Sequence, residues 1–247
     1  MNYMGSKSRI AKYIVPIIQS YIDDYGINTY IEPFVGGANV IDKIHCDTKI
    51  GLDLSSYLIA LHRYAQKDGT FPQSITREQY NKVRESYNNN TDEYSILQKG
   101  IYGYLASMNG RFFDGGFARP SYGRDYYAEK RNNLIKQSQN IEYKNVTFYC
   151  ADYHFCSDMQ NAVIYCDPPY KNTKHYNCDK NFDHDAFWNW VRIMSKNNIV
   201  IVSEQEAPND FKCIWSKPIK STIRTTANVE GKILTEKLFI KREEING

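Results

Sequence analysis

The chain has 247 residues, 42% of them hydrophobic and 24% charged, a length that buries a full core and fits one large domain or a domain carrying an insertion. Its net charge of +3 announces no global affinity for nucleic acid, so any such surface must be a local concentration of Lys and Arg. The six cysteines, Cys46, Cys150, Cys156, Cys166, Cys178 and Cys213, never fall in the close pairs that zinc sites need, and no stretch has membrane-spanning or signal-peptide character. A cytoplasmic protein with no metal and no membrane partner is expected, its thiols reduced and mostly buried.

At the N-terminus, Tyr3-Met4-Gly5-Ser6-Lys7 precedes a helical pattern carried by Ile10, Ile14, Ile17, Ile18 and Tyr21, with Ser6 or Ser8 as N-cap and Pro16 expected to kink or restart the helix. A Gly-Ser-Lys turn there is either a small anion pocket, where free N–H groups and an ammonium meet a carboxylate, or a plain surface turn. Thr29 to Val40 then reads as strand, glycine turn at Gly36-Gly37, and a helix through Ile41 and Ile44. The three glycines of the dinucleotide fingerprint are missing, and Glu32 at the strand end suits a cationic ligand better than a phosphate. A second strand, Lys49 to Asp53, ends on an acid sixteen residues after Gly37 and leads into a helix through Leu58, Leu61 and Tyr64. Asp53 either grips ribose hydroxyls from that position or caps the helix beginning near Ser55.

From about Phe71 to Asn145 the strand-helix alternation breaks down. Thr76 with Gln79 forms a capping box opening a helix through Tyr80, Val83 and Tyr87, and a second helix is expected through Tyr94, Leu97, Ile101, Leu105 and Met108. Asn109 to Arg124 reads as a glycine-punctuated hairpin or extended loop in which aromatics alternate with arginines. Between Leu105 and Lys136 six basic residues face three acids, a surplus equal to the net charge of the whole chain. A solvated loop is the bland reading. Arg111, Phe112, Arg119, Tyr122 and Arg124 also suit phosphate contacts, guanine edges and wedging into a base stack.

Alternation resumes with a strand from Val146 to Tyr153 that ends on Asp152. The short β-branched and aromatic run Ala162 to Cys166 reads as a buried strand and leads straight into Asp167-Pro168-Pro169-Tyr170. Two prolines cannot donate to a sheet ladder, so they hold the backbone extended beyond the strand's C-terminal edge, where open α/β sheets form a crevice. Asp167, the carbonyls beside the prolines and the flat face of Tyr170 together suit a planar ring bearing an amino group; taken alone, the tetrapeptide also fits a capped turn. A polar loop, Lys171 to Lys180, with Lys171, Lys174, His175 and Tyr176, precedes Asp183, which caps a helix through Phe187, Trp190 and Val191. Later strands are expected at Ile199 to Ser203, Cys213 to Trp215, Ser221 to Thr225 and Leu234 to Ile240.

Tyr-x-Gly-x-Lys at Tyr3 to Lys7, acidic-Pro-Phe-x-Gly-Gly at Glu32 to Gly37 and Asp-Pro-Pro-Tyr at Asp167 to Tyr170, in that order, resemble the Dam-like (alpha group, D12 class) DNA adenine N6-methyltransferases over essentially the whole chain. The resemblance implies an α/β, Rossmann-like S-adenosylmethionine-dependent methyltransferase fold, with a mostly parallel sheet, helices on both faces and an antiparallel strand near the C-terminus. Residues 1–70 and 146–247 would be the catalytic domain, and 71–145 an inserted, mainly helical target-recognition subdomain with a hairpin. It further implies cofactor contacts from Tyr3, Lys7, Glu32, Phe34, Gly36, Gly37, Asp53, Asp152 and Asp167, and catalysis by Asp167, Pro168 and Tyr170. Arg111, Phe112, Arg119, Tyr122, Arg124, Lys171 and Lys174 would face double-stranded DNA, with the protein acting as a monomer or weak dimer. The Arg-Phe pair after Asn109 resembles the family's recognition hairpin, but the Asn-Val-Pro-Phe-Gly stretch of GATC-specific members is missing, so the recognised site stays open. Two other readings remain: a methyltransferase acting on RNA or a protein glutamine, and a catalytically silent DNA-binding protein on the same fold.

Overall fold

The computed structural model describes residues 1, 3, 5–170, 182–220 and 233–242. Among them, seven strands, β1 (Thr29–Glu32), β2 (Thr48–Asp53), β3 (Val146–Cys150), β4 (Val163–Cys166), β5 (Ile199–Glu204), β6 (Phe211–Lys220) and β7 (Ile233–Lys241), form one sheet in the order β3-β2-β1-β4-β5-β7-β6. β1 to β5 run parallel, β7 is antiparallel to β5, and β6 is antiparallel to β7. From β1 the chain builds outward to β2 and β3, and from β4 in the opposite direction to β5. β1 and β4 therefore flank the topological switch point, the place where a crevice opens at the C-terminal ends of parallel strands.

Period-two alternation divides the core between the two sheet faces. Tyr30, Val163, Tyr165 and Ile201 join a larger cluster with Ile14, Ile18 and Ile22 of helix α1 (Ala11–Asp24) and Leu58, Ile59 and Leu61 of α2 (Ser56–Gln66). Their neighbours Ile31, Ile164, Val200 and Val202 face Phe187, Trp190, Val191 and Met194 of helix α7 (His184–Met194). Each such side chain contributes roughly 1.5–3 kcal/mol of burial free energy, which fixes the register because a one-residue slip would exchange the faces. Between β2 and β3 lie α3 (Arg77–Asn88), α4 (Ile96–Gly100), α5 (Tyr126–Ser138) and α6 (Ile141–Lys144). Tyr80, Val83, Leu105, Tyr127, Leu134 and Tyr143 from this segment enter the larger cluster, so its packing is continuous with that of the sheet.

Several local expectations are corrected. α1 runs unbroken through Pro16, whose lost backbone bond falls on an exposed face. The helix expected after the glycine turn is a single 3-10 turn at Ile41–Lys43; Ala38 has a φ of 53°, and the Gly37 and Ala38 carbonyls that would begin a helix instead accept hydrogen bonds from Gln137 Nε2. The helix expected through Met108 stops being regular at Gly100 and continues as a π turn over Ile101–Leu105, where Gly103 lies so close to the Phe112 ring that a Cβ would clash with it. In place of a regular hairpin, residues 107–124 form turns joined by isolated bridges at Ser107–Phe117 and Ser121–Arg124. Cys156 and Cys166 are buried, whereas Cys150 and Cys213 are exposed because they lie on the outermost strands β3 and β6. The strand expected at Ser221 to Thr225 lies outside the described residues.

Candidate active site

The glycine turn after β1 and the Asp-Pro-Pro-Tyr segment after β4 meet at the switch point. Asp53 ends β2 and accepts hydrogen bonds from the Gly36 N–H at 3.2 Å and the Ser55 N–H at 2.9 Å. The cap of α2 is Ser55, whose Oγ accepts from Leu58 N, so Asp53 braces the glycine turn and the helix entry without being the cap. Tyr3 lies across the turn: a Cβ on Gly36, whose φ is 47°, would sit 3.0 Å from the Tyr3 ring. Beneath the turn, buried His62 bridges the Gly36 carbonyl and the Tyr143 hydroxyl, each at 2.7 Å. The carbonyl only accepts, so Nε2 carries the proton and Nδ1 accepts from Tyr143. Burial lowers the His62 pKa to about 4, which keeps the ring in this neutral form.

Lys7 is buried, and its Nζ lies 2.8 Å from Asp167 Oδ1 and donates to the Tyr170 hydroxyl at 2.7 Å. The N-terminal Lys thus braces the Asp-Pro-Pro-Tyr pair. Burial alone would lower its pKa, but Asp167 and Glu236 raise it above the ordinary lysine range. Burial pushes the Asp167 carboxyl up to about 6 against the pull of Lys7, so it is an anion at neutral pH. Tyr170 also donates to Glu236 Oε2 at 2.6 Å and lies 3.1 Å from Ser203 Oγ. Glu204, at the end of β5, is buried with Oε1 on the Gln205 N–H and Oε2 without a partner among the described residues; burial raises its pKa to about 7. Glu32 is buried, accepts from the Tyr30 hydroxyl at 2.7 Å, and has its pKa raised well above the ordinary carboxylate range, chiefly by burial.

Other predicted residues have local partners of their own. The Phe34 ring packs among Tyr153, Phe182 and Phe187 at 5.7–5.9 Å. Asp152 lies beyond β3 and caps a short 3-10 turn through the His154 N–H. In the segment between β2 and β3, Phe112 is half-buried against Tyr57, Tyr87 and Tyr104, which makes it a packing residue and not an exposed wedge. Arg111, Arg119 and Tyr122 are exposed, Tyr122 completely, and Arg124 is paired with Glu129 at 2.6 Å. Lys171, Lys174 and His175 lie outside the described residues.

Sequence reasoning missed Glu204, Glu236, Ser203, His62 and Gln137. For Glu204 a signal existed: β1, β2 and β5 each end on an acid, Glu32, Asp53 and Glu204, and Asp167 immediately follows β4. Glu236 had none, because only the β7 register carries it to Tyr170.

The sequence profile of the D12 class N6 adenine-specific DNA methyltransferases matches residues 3–207. The chain belongs to that family. Among curated relatives, it is 24% identical to the type II methyltransferase M.FokI of Planomicrobium okeanokoites over 78% of this chain and 31% of that protein. It is 27% identical to the modification methylase StsI of Streptococcus sanguinis, over 81% of this chain and 32% of the relative. With the DNA adenine methylase of Serratia marcescens it shares 28% identity over 57% of each. The chain thus spans about a third of the length of the first two. The family is described as acting on N6 of adenine in DNA. Among the described residues no cluster of His, Cys, Asp and Glu is arranged to hold a metal, and no helix is long and apolar enough to cross a membrane.

Proposed function

We propose that this chain transfers a methyl group from S-adenosylmethionine to N6 of an adenine flipped out of duplex DNA. The observation that carries the reading is the joining of Asp167 and Tyr170 through Lys7 at the mouth of the β1/β4 crevice, beside the glycine turn. S-adenosylmethionine supplies an electrophilic methyl group on a cationic sulfonium. The residues present fit such a ligand: Asp167 and Glu204 place carboxylates near Lys7, and Asp53 holds a carboxylate at the end of β2 where ribose hydroxyls are gripped. Tyr3, Gly36, Gly37 and Asp53 would hold it, with Asp152 at the adenine end and Lys7 toward the carboxylate.

The adenine N6 lone pair is delocalised into the ring, so attack needs acceptors that draw on its two hydrogens and make the nitrogen more sp³-like. Asp167, ionised at neutral pH, and the Pro168 carbonyl serve as those acceptors. The face of Tyr170 stacks on the extruded base and offsets part of its unstacking cost of a few kcal/mol. Preorganised acceptors of this kind commonly supply the largest share of acceleration. Residues 71–145 would supply the DNA-reading surface, with Arg111, Arg119, Tyr122 and Arg124 facing the duplex. This exposed arginine-aromatic surface favours DNA over RNA or protein substrates.

The test is incubation of plasmid DNA with protein and S-adenosylmethionine, followed by sequencing that detects modified adenine. N6-methyladenine at a defined site is expected. Adenine left unmodified throughout the plasmid would overturn the reading.

A further inference from the structure

The Tyr170 hydroxyl has more partners than a phenol needs merely to be soluble in a protein. Lys7 donates to it at 2.7 Å, Glu236 Oε2 lies 2.6 Å away, and Ser203 Oγ lies 3.1 Å away. A carboxylate only accepts, so at 2.6 Å the phenol donates its hydrogen to Glu236, while Lys7 donates to the oxygen and Ser203 lies beside it. The hydroxyl is held by three elements of different origin: the N-terminal turn, β5 and β7. Glu236 is itself partly buried and pairs with Lys7 at 3.6 Å, so it also shares the cation that binds Asp167. Its position outside residues 3–207 puts it beyond the family match.

We propose that Glu236 is a positioning residue of the methyl-transfer site: it takes the phenol hydrogen of Tyr170 and fixes the ring on which the target base stacks. The proposal rests on the adenine-methylation reading. A stacking platform free to rotate about its Cα–Cβ bond would leave the target nitrogen displaced from Asp167, and misplacement on the order of 1 Å costs rate steeply. Glu236 touches no reacting atom. It acts through the tyrosine.

The experiment uses protein labelled with ¹³C at Cζ of tyrosine and four variants: Glu236→Ala, Glu236→Gln, Tyr170→Phe, and Glu236→Ala combined with Tyr170→Phe. Three quantities are read: the Tyr170 resonance, assigned by its loss in Tyr170→Phe; single-turnover methyl transfer into plasmid DNA; and affinity for S-adenosylmethionine by calorimetry. Glu236→Ala should move the Tyr170 resonance and slow transfer about tenfold with cofactor affinity nearly unchanged, and Glu236→Gln, which keeps an acceptor, should recover most of the rate. On the Tyr170→Phe background Glu236→Ala should add less than about twofold, because the two changes remove one interaction. An unmoved resonance with an unchanged rate overturns the proposal, and so does a full additional loss in the double variant. A wild-type protein that transfers no methyl group while Glu236→Ala still moves the resonance overturns the activity reading and leaves the contact standing.

Discussion

The mouth of the β1/β4 crevice and the outer turns of residues 111–124 are built on opposite plans. In the crevice, Lys7 lies 2.7–3.6 Å from Asp167, Tyr170 and Glu236, Tyr170 lies 2.6 Å from Glu236, and every one of them is braced by another element. On the turns, Arg111 and Arg119 are exposed, and Tyr122 stands completely in solvent at a φ of 51°. Methyl transfer needs acceptors already in place when the base arrives, since reorganisation at that moment would add to the barrier. Reading DNA tolerates side chains that order on contact, because binding free energy compensates. The difference predicts that changes in the crevice lower turnover, whereas changes on the turns alter which sites are used.

The largest expected effect breaks the crevice. Asp167→Ala should lower the rate of methyl transfer by at least about 10²–10³-fold, the loss found when one preorganised polar group is removed. Calorimetry should find cofactor binding largely kept, with some loss tolerable because Asp167 is also an expected cofactor contact. A variant with near-normal turnover would return the segment to a turn. Next is Asp53→Ala, which removes a brace of the glycine turn together with the expected ribose contact, and about 1–3 kcal/mol of cofactor affinity should go with it. Unchanged affinity would leave Asp53 a purely structural brace.

On the turns, Arg111→Ala should cost about 1–3 kcal/mol of discrimination and relax the site at one position, read by methylating a library of variant sites. Uniform loss with preserved preference would make the turn a backbone clamp. Acidity gives a further contrast. Burial raises the Asp167 carboxyl to about 6, and in the proposed reaction its ionised form is the stronger acceptor for the target amino group. Turnover should therefore fall roughly tenfold per pH unit below about 6 while site preference, carried by arginines that stay charged, does not change.

The legible part of this molecule was whatever short-range pattern encodes. The β-branched run of β4, the glycine turn and the strand-end acids announced a sheet with a ligand crevice. The Thr76 and Asp183 caps behaved as local chemistry dictates, because each satisfies N–H groups within its own first turn. What failed had long-range causes. The helix after Gly37 is absent since Gln137, a hundred residues on, takes the carbonyls that would begin it. Phe112 looked like a wedge from its arginine neighbours, yet Gly103 leaves room for its ring in the core. Glu236 reaches Tyr170 only through the pairing of β5 with β7, which no window of sequence contains.

The smallest expected effect concerns α5, whose three cations have met different fates. Lys130 is buried and donates to the Ser107 carbonyl. Arg131 is buried and ties the Pro72 and Gln73 carbonyls to the helix. Lys136 alone of the three is exposed, so it alone is placed to meet a phosphate without first being pulled from the core. Lys136→Ala should weaken methylation of all sequences alike, by a few-fold at low salt, and reduce the slope of affinity against salt concentration by about one. Arg131→Ala should instead lower the melting temperature, losing about 1–3 kcal/mol as the two carbonyls lose their donor, and leave the salt slope in place. Measuring DNA affinity at two salt concentrations alongside thermal melting separates the two. If Lys136→Ala melts early with an unaltered salt slope, the helix is scaffold along its whole length and the phosphate contacts belong to the turns alone.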